Sequence, residues 1–251
     1  DLPSGTPAEG ADTLEAISVL ETAFHTLNGA WEHPGLLHMY IHLMEMSPHP
    51  ERALRHGDAL STLVPDAGHL LHMATHIDVL CGDYQNVVSR NQTAIVADQK
   101  YLDEAGADNF YSVYRCHNYH FKIYGAMFLG QPGVALAAAE DLIATIPEDF
   151  LALMADWFEG FIPMKQHVLI RFGCWHDILA QDLPADPELY SVTTAMMHYA
   201  RTVAFANTGD IARAEAESAL FFAARDKVPE SRMLFNNTCR DILAVAEQML
   251  L

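Results

Sequence analysis

Apolar residues along this chain recur at the three- and four-residue spacings of amphipathic helices, and the pattern continues over nearly the whole sequence. Strand signals are nearly absent, because we find no alternation of Val, Ile or Thr bounded by Asn-Gly or Asp-Gly turns. We therefore predict an all-α protein. The predicted helical ranges are 11–29, 34–46, 50–63, 68–81, 84–104, 110–129, 132–145, 149–172, 175–180, 187–208, 211–226 and 230–250.

Turn residues separate paired helices at positions 48, 82, 130, 173 and 209, with spacings of 34, 48, 43 and 36 residues. A small apolar residue follows the glycine turns five positions on, as at Ala135 and Ala214, and a proline often closes the second helix, as at Pro147. This pattern resembles the tetratricopeptide repeat over most of residues 30–230. The resemblance implies a right-handed superhelix of stacked helical hairpins. An irregular α-solenoid built on the same principle is the alternative.

The repeat pattern predicts a single helical-repeat domain over residues 11–251. Residues 1–10 are rich in Pro and Gly, and we expect them to be frayed. The sequence starts at Asp1 and stops within a helical pattern, which favours a fragment of a longer chain.

The net charge of the chain indicates which classes of binding partner are unsuitable. The chain has 33 acidic and 14 basic residues and a formal charge of −19, so nucleic acid and anionic membranes are poor partners. No window approaches 18 uninterrupted apolar residues, so we expect no membrane span. The four cysteines lie far apart in sequence, which predicts free thiols in a reducing compartment and a cytoplasmic location.

Histidines are the unusual feature of the composition. There are 14, of which eight fall between His33 and His76. Counted backwards from the turns, they fall into columns that share one helical face. Ten residues before a turn stand His38, His72 and His120; six before stand His42, His76, Tyr124 and His167; thirteen before stand His69 and His117; three before stands Glu45.

These columns predict a transition-metal site. Packed helices lie about 8–10 Å apart, so imidazoles on neighbouring first helices can converge on one ion. The predicted ligands are His38, His42, His72, His76 and His120. Glu45 is predicted as a further ligand or a general base, and Tyr124 as a supporting residue of the catalytic site. Imidazole suits Zn, Cu and Fe, and the sequence does not choose among them.

A substrate would lie beside these ligands. The predicted substrate-binding residues are His69, His117, His167, His198 and Arg201. Arg201 would anchor a carboxylate, although a surface ion pair is an equally good interpretation. The alternatives to a metal site are a hydrogen-bonded network of histidines and a His-lined peptide groove.

The stretches from His33 to His42 and from Gly68 to His76 also resemble a His-rich subset of tetratricopeptide proteins that has no settled activity. The resemblance implies that these residues line the concave surface of the array. We therefore expect a metal-dependent enzyme that activates water or oxygen on a small or peptide-like substrate in that groove. The alternatives are an interaction scaffold that binds a peptide in the same groove, and metal storage or sensing.

Overall fold

The computed structural model describes residues 5–250, and these are mostly helical with almost no strand. The prediction of an all-α protein is confirmed. Of the segment 1–10, which we expected to be frayed, residues 1–4 lie outside the described part and residues 5–10 carry no helix or strand. The first helices are α1 (Thr13–Thr26), α2 (Pro34–Glu45), α3 (Leu54–Leu60), α4 (Gly68–His72), α5 (Ala74–Cys81), α6 (Tyr84–Ala105) and α7 (Ser112–Phe128).

The rest of the chain continues as helices with one small hairpin. The helices are α8 (Pro132–Ala144), α9 (Glu148–Leu153), α10 (Ala155–Phe158), α11 (Met164–Arg171), α12 (Trp175–Leu179), α13 (Ser191–Asn207), α14 (Ile211–Arg225) and α15 (Cys239–Gln248). The hairpin pairs β1 (Met233–Leu234) antiparallel to β2 (Asn237–Thr238), with Met233 opposite Thr238. Short 3₁₀ helices span Ala30–Glu32, Pro50–Ala53 and Glu159–Phe161.

The chain divides into two compact units. The first comprises the residues up to Gly106 together with His117–Leu129, and the second comprises Ala107–Cys116 together with residues from Gly130 onward. Contacts in helical-repeat arrays are mostly between neighbours, so one array can also divide in this way. The single repeat domain over 11–251 therefore stays a prediction.

Helix boundaries in the first unit follow local chemistry. Helix α2 begins at Pro34, whose fixed φ suits the first helical position, and the ring Nδ1 of His33 accepts a hydrogen bond from the Leu36 N–H at 3.2 Å. Helix α5 ends at Gly82, which adopts the left-handed conformation with φ of 80°. The Asp83 carboxylate then caps α6 by accepting from the Asn86 N–H at 3.1 Å.

Helix α2 buries one of its faces in the core of the first unit. Leu37, Tyr40, Ile41 and Met44 are buried there against residues of α3 and α5. Each such side chain contributes about 1.5–3 kcal/mol when it is removed from water. The face beside this apolar stripe carries the polar side chains that form the site described below. Packing thus sets the direction in which the polar face points.

Helices α4, α6 and α7 meet at one tight point. A Cβ on Gly68 would lie 1.9 Å from Oδ1 of Asp98, so only glycine allows this approach of α4 to α6. The other oxygen of Asp98 accepts a hydrogen bond from the Asn118 side chain of α7 at 2.6 Å. The histidines that neighbour Gly68 and Asn118 are therefore held close to each other.

The second unit has its own core. Val192, Met196 and Tyr199 of α13 pack there with Phe221 and Leu243. The buried carboxylate of Glu159 accepts hydrogen bonds from the first N–H groups of α13, those of Val192 at 3.0 Å and Thr193 at 2.7 Å. A carboxylate at a helix N-terminus satisfies donors that have no partner within the helix.

Four predicted helices differ from the observed ones. Range 50–63 begins as a 3₁₀ helix and becomes α-helical only at Leu54. Range 68–81 is divided at Met73 into α4 and α5. Range 149–172 is divided at Met154 and again at Pro163, where proline lacks the N–H that a continuous helix needs, and α11 follows Pro163. Range 230–250 begins with the β hairpin, and its helix starts only at Cys239.

Two expectations from composition can be set against the described residues. Cys81, Cys116, Cys174 and Cys239 are all free thiols. Within residues 5–250, no helix combines the length and the apolar character that crossing a bilayer requires.

Candidate metal centre

Helix α2 presents three polar side chains on one face. His38, His42 and Glu45 follow each other at spacings of four and three residues, which stack side chains along a helix. The Nε2 atoms of His38 and His42 lie 3.1 Å apart, and Nδ1 of His42 lies 3.0 Å from Oε1 of Glu45. The shared face that the sequence predicted is therefore present, and its three side chains touch.

His69 of α4 completes a first group of three imidazoles. Its Nε2 atom lies 3.2 Å from Nε2 of His38, so His38 is in contact with both other rings. One ligand nitrogen from each of the three histidines lies within 4.8 Å of the others. We call His38, His42 and His69 the first triad.

A second group of three comes from three different helices. His72 ends α4, His76 lies on α5 and His117 lies on α7. Nε2 of His72 and Nε2 of His76 are 2.9 Å apart, and the ring of His117 lies 4.6 Å from that of His72 between centroids. Here too one ligand nitrogen from each histidine lies within 4.8 Å of the others. We call His72, His76 and His117 the second triad.

Glu45 touches one histidine of each triad. Its Oε1 contacts Nδ1 of His42 at 3.0 Å, and its Oε2 contacts Nδ1 of His76 at 2.7 Å. An ionised carboxylate can only accept hydrogen bonds, so both Nδ1 atoms carry the proton and donate it. Burial alone would raise the pKa of Glu45, but the hydrogen bonds from both rings lower it to about 2.

The tautomer of His72 is set in the same way. The amide nitrogen of Asn91 donates to the carbonyl of Val87 at 2.7 Å, so the amide oxygen faces His72. That oxygen lies 2.7 Å from Nδ1 of His72 and accepts its proton. His42, His72 and His76 thus all carry their proton on Nδ1. Their Nε2 atoms are left with the lone pair that a metal ion needs.

The two facing nitrogens of the second triad are close enough to share a cation. With both protons on Nδ1, Nε2 of His72 and Nε2 of His76 direct lone pairs at each other across 2.9 Å. A proton shared between them would make one ring cationic. Burial lowers the pKa of His72 well below its usual range, which opposes the cationic form of that ring. A proton on His76 beside Glu45, or a metal ion, would satisfy both lone pairs.

Spacing within the triads fits such an ion. An ion held by imidazole nitrogens at about 2.0–2.1 Å with tetrahedral angles places those nitrogens about 3.3 Å apart. The measured Nε2 separations are 3.1 Å for His38 and His42, 3.2 Å for His38 and His69, and 2.9 Å for His72 and His76. These separations lie within about 0.4 Å of that value, so the rings are spaced nearly as the ligands of one ion would be.

Burial favours the neutral form of His38 and His69 in the first triad and of His117 in the second. Burial, and then the neighbouring His38, lower the pKa of His69 to about 4. Burial also lowers the pKa of His38 and of His117, and neighbouring histidines lower each further. Neutral imidazole is the form that binds metal, so protons compete weakly for these nitrogens near neutral pH.

An aromatic side chain that we did not predict closes one side of the second triad. The ring of Phe121 lies 4.8 Å from His72, 5.0 Å from His76 and 4.6 Å from His117, between centroids. An apolar wall of this kind lowers the local dielectric and limits access of water to the nitrogens.

The structure distributes the predicted site residues differently from the sequence columns. His38, His42, His72 and His76, which we predicted as ligands, lie in the triads. So do His69 and His117, which we predicted as substrate-binding residues. His120 belongs to neither triad, although its charge contributes to the lowered pKa of His117. Its role as a ligand stays a prediction.

Tyr124 lies among aromatic residues. It is 39% exposed, and its ring packs against Phe128 at 4.7 Å and Tyr84 at 6.4 Å between centroids. Burial and the neighbouring Tyr84 raise the pKa of its hydroxyl. These ring contacts do not test the predicted catalytic role of Tyr124, which stays a prediction.

Three predicted substrate-binding residues belong to the second unit. His198 and Arg201 of α13 both approach Glu217, His198 through Nδ1 at 2.6 Å and Arg201 at 3.8 Å. Arg201 also donates to the carbonyl oxygen of Gln181. His167 is partly buried on α11, and burial lowers its pKa. Arg201 thus forms the ion pair that was the alternative interpretation.

Asn91 and Phe121 carry no signal in the sequence that would single them out. Asn91 lies on a second helix of a hairpin, outside the columns counted on first helices. The thirteen-residue column did contain His69 and His117, so their chemistry was visible although their role was assigned otherwise.

Comparisons of the chain with protein-family models, with curated proteins and with solved structures returned no match.

Proposed function

We propose that this protein is a metal-dependent enzyme whose transition-metal centre is built from the histidines of α2, α4, α5 and α7. The observation that supports the proposal most strongly is the 2.9 Å approach of Nε2 of His72 to Nε2 of His76 while both Nδ1 protons are engaged elsewhere. We further propose that these helices belong to a tetratricopeptide-like array whose concave groove contains the centre.

A catalytic role fits three-histidine sites better than a structural one. Structural zinc sites fill all four positions with protein ligands, whereas catalytic sites keep a position open for water or substrate. Each triad supplies three nitrogens, which leaves such a position. The apolar core beside α2 stabilises the fold without an ion. An ion here would therefore bind and activate water or oxygen on a small or peptide-like substrate.

Ligand chemistry restricts the metal to those that imidazole favours. Zn, Cu and Fe all accept imidazole nitrogens, and no thiolate takes part in either triad. Glu45 acts from outside the ligand set in this proposal. Because its pKa is about 2, it holds a proton weakly, so orienting His42 and His76 suits it better than accepting a proton from substrate.

Elemental analysis tests the proposal directly. Protein purified without a His tag and passed through gel filtration is expected to retain stoichiometric Zn, Cu or Fe. The double variant H42A/H76A should lose it. The control H25A/H49A removes two exposed histidines outside the triads and should keep it. A protein that holds no metal, with an unchanged melting temperature in chelator, would instead support a peptide-binding scaffold.

Turnover is tested on the metal-loaded protein. We expect oxygen consumption or hydrolysis of small ester and peptide substrates by the wild type and by H25A/H49A, and loss of that activity in H42A/H76A. Stoichiometric metal without activity in any of these assays would favour metal storage or sensing over catalysis.

A further inference from the structure

We infer that the two triads bind one transition-metal ion each, so that the chain holds a two-ion centre whose halves share the carboxylate of Glu45. This inference rests on the proposed metal-binding function and adds a statement about stoichiometry and coupling. A single ion at either triad would satisfy the proposed function without it.

The nitrogens gather in two groups of three. Nitrogens bound to one ion at about 2.1 Å lie no more than about 4.2 Å from each other. Among residues 5–250, the histidine nitrogens that lie within 4.8 Å of each other form two separate sets, and the sets have no histidine in common. The six imidazoles therefore do not gather around one point, whereas each set of three comes within about 0.6 Å of the limit for a single ion.

The two sets lie beside each other because α4 contributes to both. His69 and His72 are three residues apart on this helix, and their rings lie 6.4 Å apart between centroids. The rings of His42 and His76 lie 5.8 Å apart. Since an ion sits about 2.0–2.1 Å beyond its ring nitrogen, ions bound to these two rings lie no more than about 12 Å apart.

Glu45 couples the two halves through hydrogen bonds. Its two oxygens accept from His42 of the first triad and His76 of the second, at 3.0 Å and 2.7 Å. A carboxylate that accepts from the far nitrogen of a metal-binding imidazole orients the ring and makes the ligand nitrogen more basic. One side chain does this for both triads, so its loss is expected to weaken both sites together. Glu45 is a positioning residue in this scheme.

Metal titration of the full chain tests the stoichiometry. The stripped, untagged protein is titrated with Zn²⁺ in the presence of a weak competing chelator, and the metal retained after buffer exchange is measured by mass spectrometry. We expect two Zn²⁺ ions per chain in the wild type. The variants H38A/H69A and H76A/H117A should each retain one, and the control H25A/H49A should retain two. H76A/H117A leaves the buried His72 in place.

Each outcome separates the two claims. One ion per wild-type chain, lost in both triad variants, overturns the two-ion centre and leaves the proposed metal-binding function intact. No retained ion overturns both. Where a triad variant fails to fold by circular dichroism, the wild-type stoichiometry still decides, because one ion contradicts the inference without any variant.

The variant E45A, which removes both acceptor oxygens, tests the coupling. We expect both Zn²⁺ affinities to fall by about 10–100-fold, while the melting temperature of the metal-free protein changes little. E51A is the matched control, because Glu51 is exposed beside His49, outside both triads. An affinity loss at one site only, or at neither, would overturn the sharing of Glu45. Recovery of both affinities in E45D would indicate positioning by the carboxylate.

Discussion

Each triad consists of three imidazoles and both touch the carboxylate of Glu45, yet their surroundings differ. In the first triad the side chain of His42 is 38% exposed. In the second triad His72 is fully buried, Asn91 holds its Nδ1 proton, and Phe121 covers one side of all three rings. The ligand set alone therefore does not define a site, since burial and outer hydrogen bonds distinguish these two.

This difference in burial predicts that the two triads differ in how firmly they retain an ion and how readily they exchange ligands. A buried, fully oriented ligand set binds its ion firmly and exchanges it slowly, because neither water nor protons reach the nitrogens easily. A partly exposed set leaves room for water or a substrate at the open coordination position. We therefore expect the second triad to retain its ion longer and the first to exchange ligands more readily.

The largest expected effect comes from removing the buried histidine. H72A leaves a cavity and an unpaired Asn91 oxygen, so the free energy of unfolding of the metal-free protein should fall by about 2–4 kcal/mol. H42A removes a partly exposed side chain, so it should lower the free energy of unfolding by less than about 1 kcal/mol. Urea denaturation of both metal-free variants measures this. Equal losses would contradict the difference in burial between the triads.

Asn91 offers a way to weaken only one triad. N91L removes the acceptor for the His72 Nδ1 proton, so the metal affinity of the second triad should fall by about 10–100-fold. The affinity of the first triad should stay unchanged, in contrast to the effect expected for E45A. Competition titrations with Zn²⁺ distinguish the two patterns. A loss at both sites would show that Asn91 acts through general destabilisation.

His56 is a buried histidine outside both triads, and its titration must be measured before pH effects can be assigned to the triads. His56 packs among Phe24, Trp31 and Tyr40, and burial lowers its pKa to about 4. The unfolded chain binds this proton below about pH 6.5 and the folded chain does not, so stability is lost as pH falls from 6.5 towards 4.

The variant H56F should lose less stability on acidification. Between pH 7 and pH 5 its melting temperature is expected to fall by about 2–4 °C less than that of the wild type, in metal-free protein. H49F, with the same substitution at an exposed histidine, should behave as the wild type. The acid-induced loss that persists in H56F then reports on other groups, the triads included. An H56F profile identical to that of the wild type would contradict the assignment to His56.

The smallest effect is expected at Tyr124. Its ring packs against Tyr84 and Phe128, and Phe preserves that packing. Y124F should therefore change the free energy of unfolding by less than about 0.5 kcal/mol and leave both metal affinities unchanged. A loss of turnover in this variant, with metal content intact, would support the catalytic role that the sequence predicted.

Much of the candidate site could be predicted because helical spacing is a local property. The i, i+4 and i, i+3 positions of His38, His42 and Glu45 place them on one face in any α-helix, and the contacts between them follow. His72 and His76 also meet as their spacing indicates, although the chain divides into two helices at Met73 between them.

The assignment of histidines to the triads could not be predicted in the same way. Counting back from the turns placed His120 in the column of His38 and His72, but the structure brings His117 to that position. The rotation of α7 about its axis decides which residue points inward, and this rotation depends on packing such as the Asn118–Asp98 hydrogen bond. That contact joins residues 20 positions apart, which periodicity does not link.

By itself, the sequence determined the helical class, the caps that start and stop helices such as α2, and the faces that carry imidazoles, since these depend on residues within a few positions of each other. Only the tertiary structure decided that six histidines form two triads, that Glu45 joins them, and that one triad contains a fully buried histidine while all three histidines of the other are partly exposed. Those outcomes depend on how closely and at what rotation distant helices pack, as Gly68 against Asp98 illustrates.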